Sequence, residues 1–182
     1  MGLAAKLVDV PEVTWRFPIF DNIGGRFGIW IFAAALLAVR SKTPLHSAIR
    51  VFGFFAAMLL TYYLYTILFL GFFPKSQMIL WGSISLISPF CAIIMWYANE
   101  NKRSGEILAA LPIALLLSEW FVTGDGNLIL LLAYLVMIVL ILIVVSQNIK
   151  RCMAIIIFAM IITFILINTG FMDFICRELL NI

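Results

Sequence analysis

Six long apolar stretches, separated by short polar connections, occupy most of the chain. They cover residues 23–39, 48–71, 78–98, 107–123, 127–146 and 152–171. A membrane-spanning α-helix needs about 20 apolar residues, whereas a membrane β-strand shows alternating apolar and polar positions. Residues 128–145 show no such alternation. We therefore expect an all-α integral membrane bundle of six transmembrane helices with short loops, formed by residues 23–182.

Residues 1–22 differ from the rest because charged and apolar side chains are interspersed there. Pro11 and Pro18 would interrupt a long helix. The segment has no basic stretch leading directly into an apolar core, so it is unlike a signal peptide. We predict an N-terminal segment lying on the membrane surface, with simple disorder as the alternative.

The composition excludes a single water-exposed domain. Hydrophobic residues make up 65% of the chain and charged residues 12%, with a mean hydropathy of +1.15. Soluble domains carry about 25% charged residues. The net charge of +3 does not indicate nucleic-acid binding. Cys91, Cys152 and Cys176 have no metal-like spacing, so we read them as small apolar side chains and expect no metal and no cofactor.

The distribution of basic residues predicts the orientation in a cell membrane. Seven of the twelve Lys and Arg residues lie in or beside the connections 40–47, 99–106 and 147–151. Lys and Arg are enriched in short cytoplasmic loops. We expect these three loops in the cytoplasm, as in a bacterial inner-membrane protein, and both termini outside.

Glu119 is the strongest candidate functional residue because it lies inside the fourth apolar stretch. A charge at bilayer depth costs about 2.5–3.5 kcal/mol on insertion scales and therefore needs a compensating neighbour. Arg26, at the same end of the first stretch, is the natural partner. The alternatives are that Glu119 reaches the headgroups and that Arg26 extends outward to lipid phosphate.

Aromatic side chains are predicted at the same end of the bundle as Glu119. Aromatic rings around a carboxylate recognise organic cations, but tyrosine and tryptophan also collect at membrane interfaces without any ligand. Asn168 lies near that end too, where it would line a pocket or join helices. The candidate ligand-binding residues are Glu119, Arg26, Tyr62, Tyr65, Trp81, Trp120, Tyr134 and Asn168.

Prolines and small residues suggest local features of the helices. Pro89 frees the backbone carbonyl of Ser85, which a nearby serine hydroxyl can satisfy. Pro112 lies two turns before Glu119 and favours a kink there. Ala34 and Ala38, at four-residue spacing, allow close helix approach, either within the bundle or to a partner membrane subunit.

Two resemblances accompany these patterns. Residues 27–66, with Trp30, the loop Ala-Val-Arg-Ser-Lys-Thr-Pro and the run ending Thr-Tyr-Tyr-Leu-Tyr-Thr, resemble a family of small uncharacterised bacterial multi-pass membrane proteins. The size, the six stretches and the Ala34/Ala38 pair are similar to substrate-binding subunits of energy-coupling-factor vitamin transporters. The second resemblance implies an outward site for a small molecule and docking through the first helix, although that family is expected to keep its termini in the cytoplasm.

Three functions compete. The first is binding or transport of a small molecule, with a cation as one candidate, in an outward-facing pocket around Glu119. The second is a non-catalytic structural or assembly subunit of a larger membrane complex. An intramembrane enzyme is the weakest, because the chain has one histidine and no paired acids or serine elbow, and a lone buried acid lacks the second group that acid–base chemistry needs. We expect no enzymatic activity.

Overall fold

The computed structural model describes residues 26–70, 75–100, 102–123 and 127–175. The predicted surface segment 1–22, the glycine pair before Arg26 and Cys176 lie outside these residues. Every regular element in the described part of the chain is helical. The seven α-helices there are α1 Phe27–Val39, α2 Pro44–Leu70, α3 Lys75–Trp96, α4 Arg103–Thr123, α5 Leu128–Val145, α6 Ile149–Asn168 and the short α7 Phe171–Asp173, and a 3-10 turn, Tyr97–Asn99, follows α3.

Five of the described helices, α2 to α6, are long and apolar enough to cross a membrane. The protein is therefore a multi-pass helical membrane protein. Helix α1 has 13 residues, which is about 20 Å at 1.5 Å per residue and shorter than a hydrocarbon core of about 30 Å. Arg26 precedes α1 with φ −87° and ψ 145°, so Arg26 lies outside the helix.

Short connections set the packing order. Helices α2 and α3 form one antiparallel pair, and α4 packs along α6 in a second group that also contains α5. Helix α1 contacts α2, α3, α4 and α5, so it lies between the two groups. Its inward residues Trp30, Ala35 and Ala38 are buried in the core. The long helices expose many large apolar residues on their outer faces, as expected where lipid replaces water.

Side-chain caps fix several helix starts. Thr43 accepts a hydrogen bond from the His46 amide before α2, and Asn127 accepts one from the Ile129 amide at α5. Gly170 adopts φ +66°, the left-handed conformation that commonly ends a helix, and so separates α6 from α7. The Thr43 and Asn127 side chains thus accept hydrogen bonds from backbone N–H groups that have no acceptor within their own helices.

The proline in α3 is accommodated as the sequence predicts. Pro89 lies inside the helix, and the Ser88 hydroxyl donates to the Ser85 carbonyl at 2.8 Å. One helical turn further, the Ala92 carbonyl accepts a buried hydrogen bond of 2.8 Å from the Ser47 hydroxyl of α2. Serine hydroxyls thus bind backbone carbonyls of α3, and one of them joins α3 to α2. This confirms the prediction that a serine hydroxyl satisfies the carbonyl that Pro89 frees.

Candidate functional site

Helix α1 begins inside the bundle. The Phe27 ring lies 6.2 Å from the ring of Trp81, which is six residues inside α3. The first backbone N–H groups of any helix lack an intrahelical acceptor, and lipid offers none. An acceptor must therefore come from another part of the protein.

Glu119 of α4 supplies that acceptor. Its Oε1 accepts a hydrogen bond of 2.8 Å from the Phe27 amide, across 92 positions of sequence. The Glu119 side chain is completely buried, at 0% exposure, so the alternative in which it reaches the lipid headgroups is wrong. The N-terminus of a helix carries roughly half a positive elementary charge, which favours a carboxylate there. Glu119 thus acts as an N-terminal cap delivered from a neighbouring helix.

Gly28 allows this approach. A methyl group built on its Cα would lie 2.6 Å from Glu119 Oε2, 2.9 Å from Leu116 Cδ2 and 3.0 Å from Tyr134 Cε1. Real Cβ atoms essentially never come closer than 3.0 Å to another heavy atom. A side chain at position 28 would therefore force these neighbouring side chains to shift, and the Glu119 carboxyl group fills the space that it would take.

Arg26 and Tyr134 complete the surroundings of the carboxylate. Both side chains are buried, at 7% and 3% exposure. The Tyr134 side chain hydrogen-bonds to the Glu119 carboxyl group, and the Arg26 guanidinium interacts with that group electrostatically. The structure thus brings together three of the sequence-predicted residues, and Arg26 lies within the protein instead of extending to lipid. Two backbone or side-chain hydrogen-bond donors and one basic side chain thus surround the buried acid, which explains how it is accommodated in the bundle.

Of the other predicted residues, Trp81 contacts Phe27 at the start of α1. Trp81 and Trp120 are half-buried, and Trp120 stacks edge-on with Phe121 at 5.1 Å. Tyr62 and Tyr65 are half-buried. Tyr63 is the buried tyrosine of α2, at 8% exposure, and faces the interior of the bundle.

Asn168 is exposed at the end of α6. Its amide donates to the Phe164 carbonyl one turn earlier, at 2.8 Å. This bond is local to α6 and joins no second helix. The described contacts therefore place Asn168 on the surface of the bundle.

A second buried polar cluster lies at the opposite end of the bundle, and the sequence analysis missed it. Arg151 of α6 is only 5% exposed, and its Nη2 donates to the carbonyls of Ala98 at 2.5 Å and Glu100 at 3.1 Å. Gly105 lies so close to the Glu100 carbonyl that a Cβ there would be 2.1 Å from the oxygen. A guanidinium is well suited to carbonyls at a helix C-terminus.

The end of α1 joins this second cluster. Asn99 Nδ2 donates to the Val39 carbonyl at 2.7 Å, and Trp96 Nε1 donates to the Ser41 carbonyl at 2.8 Å. Both ends of α1 are thus capped by side chains from other helices or turns. This explains how a helix too short to cross the bilayer holds a fixed place between two helix groups.

The chemistry of these clusters is limited. In the part of the chain that the structure describes, no group of three or more His, Cys, Asp or Glu side chains is placed to hold a metal ion. Glu119 is the one acid among the buried residues of that part, and its Oε1 is already bound to Phe27. The arrangement holds helices together through charge-assisted hydrogen bonds.

The Ala34/Ala38 pair faces into the bundle. Ala38 is 1% exposed, and Ala34 packs against the same core. Close helix approach through these alanines therefore occurs within the protein.

Comparisons with known proteins add no family: no family model, no curated protein and no solved structure matches this chain. The two resemblances drawn from the sequence stay predictions. The chain is therefore characterised by its fold. It is a multi-pass helical membrane protein, and side chains from other parts of the fold cap both ends of its short helix α1.

Proposed function

We propose that this protein is a non-catalytic structural or assembly subunit of a larger membrane complex. The observation that carries the proposal is the hydrogen bond from the Phe27 amide to Glu119 Oε1 at 2.8 Å in a fully buried site. An intramembrane acid marks a functional site by default because its burial is costly. Here the helix N-terminus and Arg26 account for that cost within the fold, so the acid serves the architecture.

The lipid-facing surface fits this role. Only 22% of the most apolar part of α2, of α3 and of α6 is buried within the chain. Such faces pack equally well against lipid or against apolar helices of another subunit, because lipid tails and leucine side chains are similarly apolar. A subunit of a membrane complex uses such faces to dock.

Cross-linking in native membranes, followed by extraction in a mild detergent, tests this proposal. We expect a stoichiometric partner membrane protein that copurifies with the parent and with Asn168→Ala, an exposed control. Glu119→Ala should release the partner in proportion to its loss of folded protein. A monodisperse monomer in native membranes, with no partner at stoichiometric yield, would contradict the proposal.

A second candidate function is the binding or transport of a small molecule. The specific observation is that α3, α4 and α5 continue past the start of α1. Trp81, Glu119 and Tyr134 contact the first turn of α1. Each lies four to six residues from the end of its own helix, so these helix ends extend about 6–9 Å beyond the start of α1. A binding site in this proposal lies beyond Phe27, between those helix ends.

The charges at this position refine the ligand class. Arg26 and the N-terminus of α1 place positive charge beside Glu119. The proposal therefore favours a neutral or anionic molecule over the cation considered from the sequence. A thermal-stability screen in detergent tests it: a ligand should stabilise the parent and lose that effect in Tyr134→Phe. If no compound distinguishes Tyr134→Phe from the parent, this candidate fails.

A further inference from the structure

Helix α1 is the long described helix least suited to stay in a bilayer alone. It has 13 residues, whereas α2 to α6 have 18 to 27. Arg26 directly precedes it and gives its first turn no side-chain cap. An unsatisfied backbone N–H is costly in hydrocarbon. The first half of α1 therefore depends on groups from elsewhere in the fold.

Those groups come from much later in the chain. The Phe27 amide donates to Glu119, 92 positions further on, and side chains of α4 and α5 enclose Gly28. The other end of α1 differs, because the Ser41 hydroxyl donates to the Leu37 carbonyl within the same turn, at 2.7 Å. The last turn of α1 is thus capped locally, whereas its first turn requires α4 and α5.

The remaining long helices have contacts of their own that do not involve α1. Within the described residues, the most extensive helix contacts are α2 with α3 and α4 with α6. The Ser47 hydroxyl joins α2 to α3 at 2.8 Å, and the Thr163 hydroxyl joins α6 to α4 at 3.4 Å. Arg151 joins α6 to the turn between α3 and α4. Helix α1 contacts both groups and lies between them.

We propose that α1 is a detachable helix that docks last and undocks first. The α2–α3 pair and the α4–α6 group form without it, and α1 then enters between them as one unit. Proteins open in such cooperative units at free energies below that of global unfolding. In the undocked state Glu119 loses its contact with Phe27, while the contacts of Ser47, Thr163 and Arg151 persist.

Buried cysteine probes measure this opening in the full chain. Ala35 and Ala38 of α1 and Ala159 of α6 are buried, at 6%, 1% and 1% exposure. Each is changed to cysteine in a background whose three native cysteines are replaced by alanine. Reaction with methyl methanethiosulfonate is followed in detergent micelles, where a buried thiol reacts only when its element opens.

We expect both α1 probes to react at one common rate, about tenfold or more above the rate of Ala159→Cys. The probe in α6 reacts more slowly because it requires the α4–α6 group to open. Adding denaturant should bring the rates together, since global unfolding exposes more surface and so depends more steeply on denaturant.

Two further substitutions separate undocking from global unfolding. Arg151→Gln removes a contact that the undocked state keeps, so it should accelerate Ala159→Cys about tenfold or more and leave the α1 probes within about twofold. Glu119→Ala removes a contact that only the docked state has. It should therefore accelerate all three probes by the same factor, about 2- to 30-fold.

Three results would overturn the proposal. Equal rates at all three probes would mean that α1 leaves only when the whole bundle unfolds. Equal acceleration of all three by Arg151→Gln would mean the same. Different rates for Ala35→Cys and Ala38→Cys would show fraying of α1 in place of undocking as a unit. If one α1 probe does not fold, the other carries the comparison, and Ala114→Cys, at 0% exposure in α4, replaces Ala159→Cys in the same way.

Discussion

Replacing Gly28 with alanine tests the packing of α1 on Glu119 most sharply. The new Cβ would lie 2.6 Å from Glu119 Oε2 and within 3.0 Å of atoms of Leu116 and Tyr134. Overpacking a well-filled interior costs about 1–3 kcal/mol. Alanine favours a helix over glycine by about 1 kcal/mol, which partly offsets that cost.

Gly53→Ala is the matched control, because Gly53 is also helical and a Cβ there meets nothing within 4 Å. The difference between the two variants removes the helix-propensity contribution. We expect Gly28→Ala to have a free energy of unfolding about 1–3 kcal/mol lower than Gly53→Ala. The assay is denaturation in detergent micelles, followed by tryptophan fluorescence and circular dichroism.

A double-mutant cycle identifies the contact. In a Glu119→Ala background the closest atom to the new methyl group is absent, so Gly28→Ala should cost less than in the parent. Equal stability of Gly28→Ala and Gly53→Ala would refute the close approach. An unchanged cost of Gly28→Ala in the Glu119→Ala background would show that the carboxylate is not the limiting neighbour.

Three further substitutions probe the other polar contacts. Glu119→Ala should lower the free energy of unfolding by about 0.5–2 kcal/mol through loss of the cap, whereas Glu119→Gln, which keeps an acceptor oxygen, should lose less in the same denaturation assay. Arg151→Gln should cost about 1.5–3 kcal/mol, against a change within about 0.5 kcal/mol for the exposed neighbour Lys150→Gln; similar values for the two would contradict the buried role of Arg151. Ser47→Ala should cost about 0.6 kcal/mol by breaking a bond between helices, while the exposed Ser83→Ala should be nearly neutral, and no difference between them would count against that bond.

The helical architecture was predictable because lipid leaves few choices. A chain in a bilayer must satisfy its backbone hydrogen bonds within each segment, so uninterrupted apolar runs become helices. The predicted stretches 107–123 and 127–146 correspond to α4 and α5 with ends within four residues. The first stretch was predicted to include Arg26 because its apolar run is short, whereas Arg26 has an extended backbone conformation and precedes α1.

The contact between Glu119 and Phe27 could be predicted only in part. The cost of a buried charge indicates that a partner exists, and similar depth suggests Arg26. That the acid binds a backbone amide 92 positions away depends on how α1 and α4 pack, which no local pattern encodes.

The role of Arg151 was missed because the count of loop charges treats every basic residue alike. A signal was present: Arg151, Ile155, Ala159 and Thr163 recur every four residues, and all four are the buried positions of α6. A polar or small residue on such a stripe indicates an inward face. The stripe therefore marks Arg151 as interior despite its place beside a loop.

The central claim is that Glu119 caps the first turn of α1 inside the bundle. Amide hydrogen exchange at Phe27 tests it most directly, since an N–H at the first position of a helix has no partner within its own helix. We predict slow exchange in the parent and fast exchange in Glu119→Ala, with the amide of Leu36, in the middle turns of α1, much less affected. Fast exchange of the Phe27 amide in the parent, equal to that in Glu119→Ala, would contradict the claim.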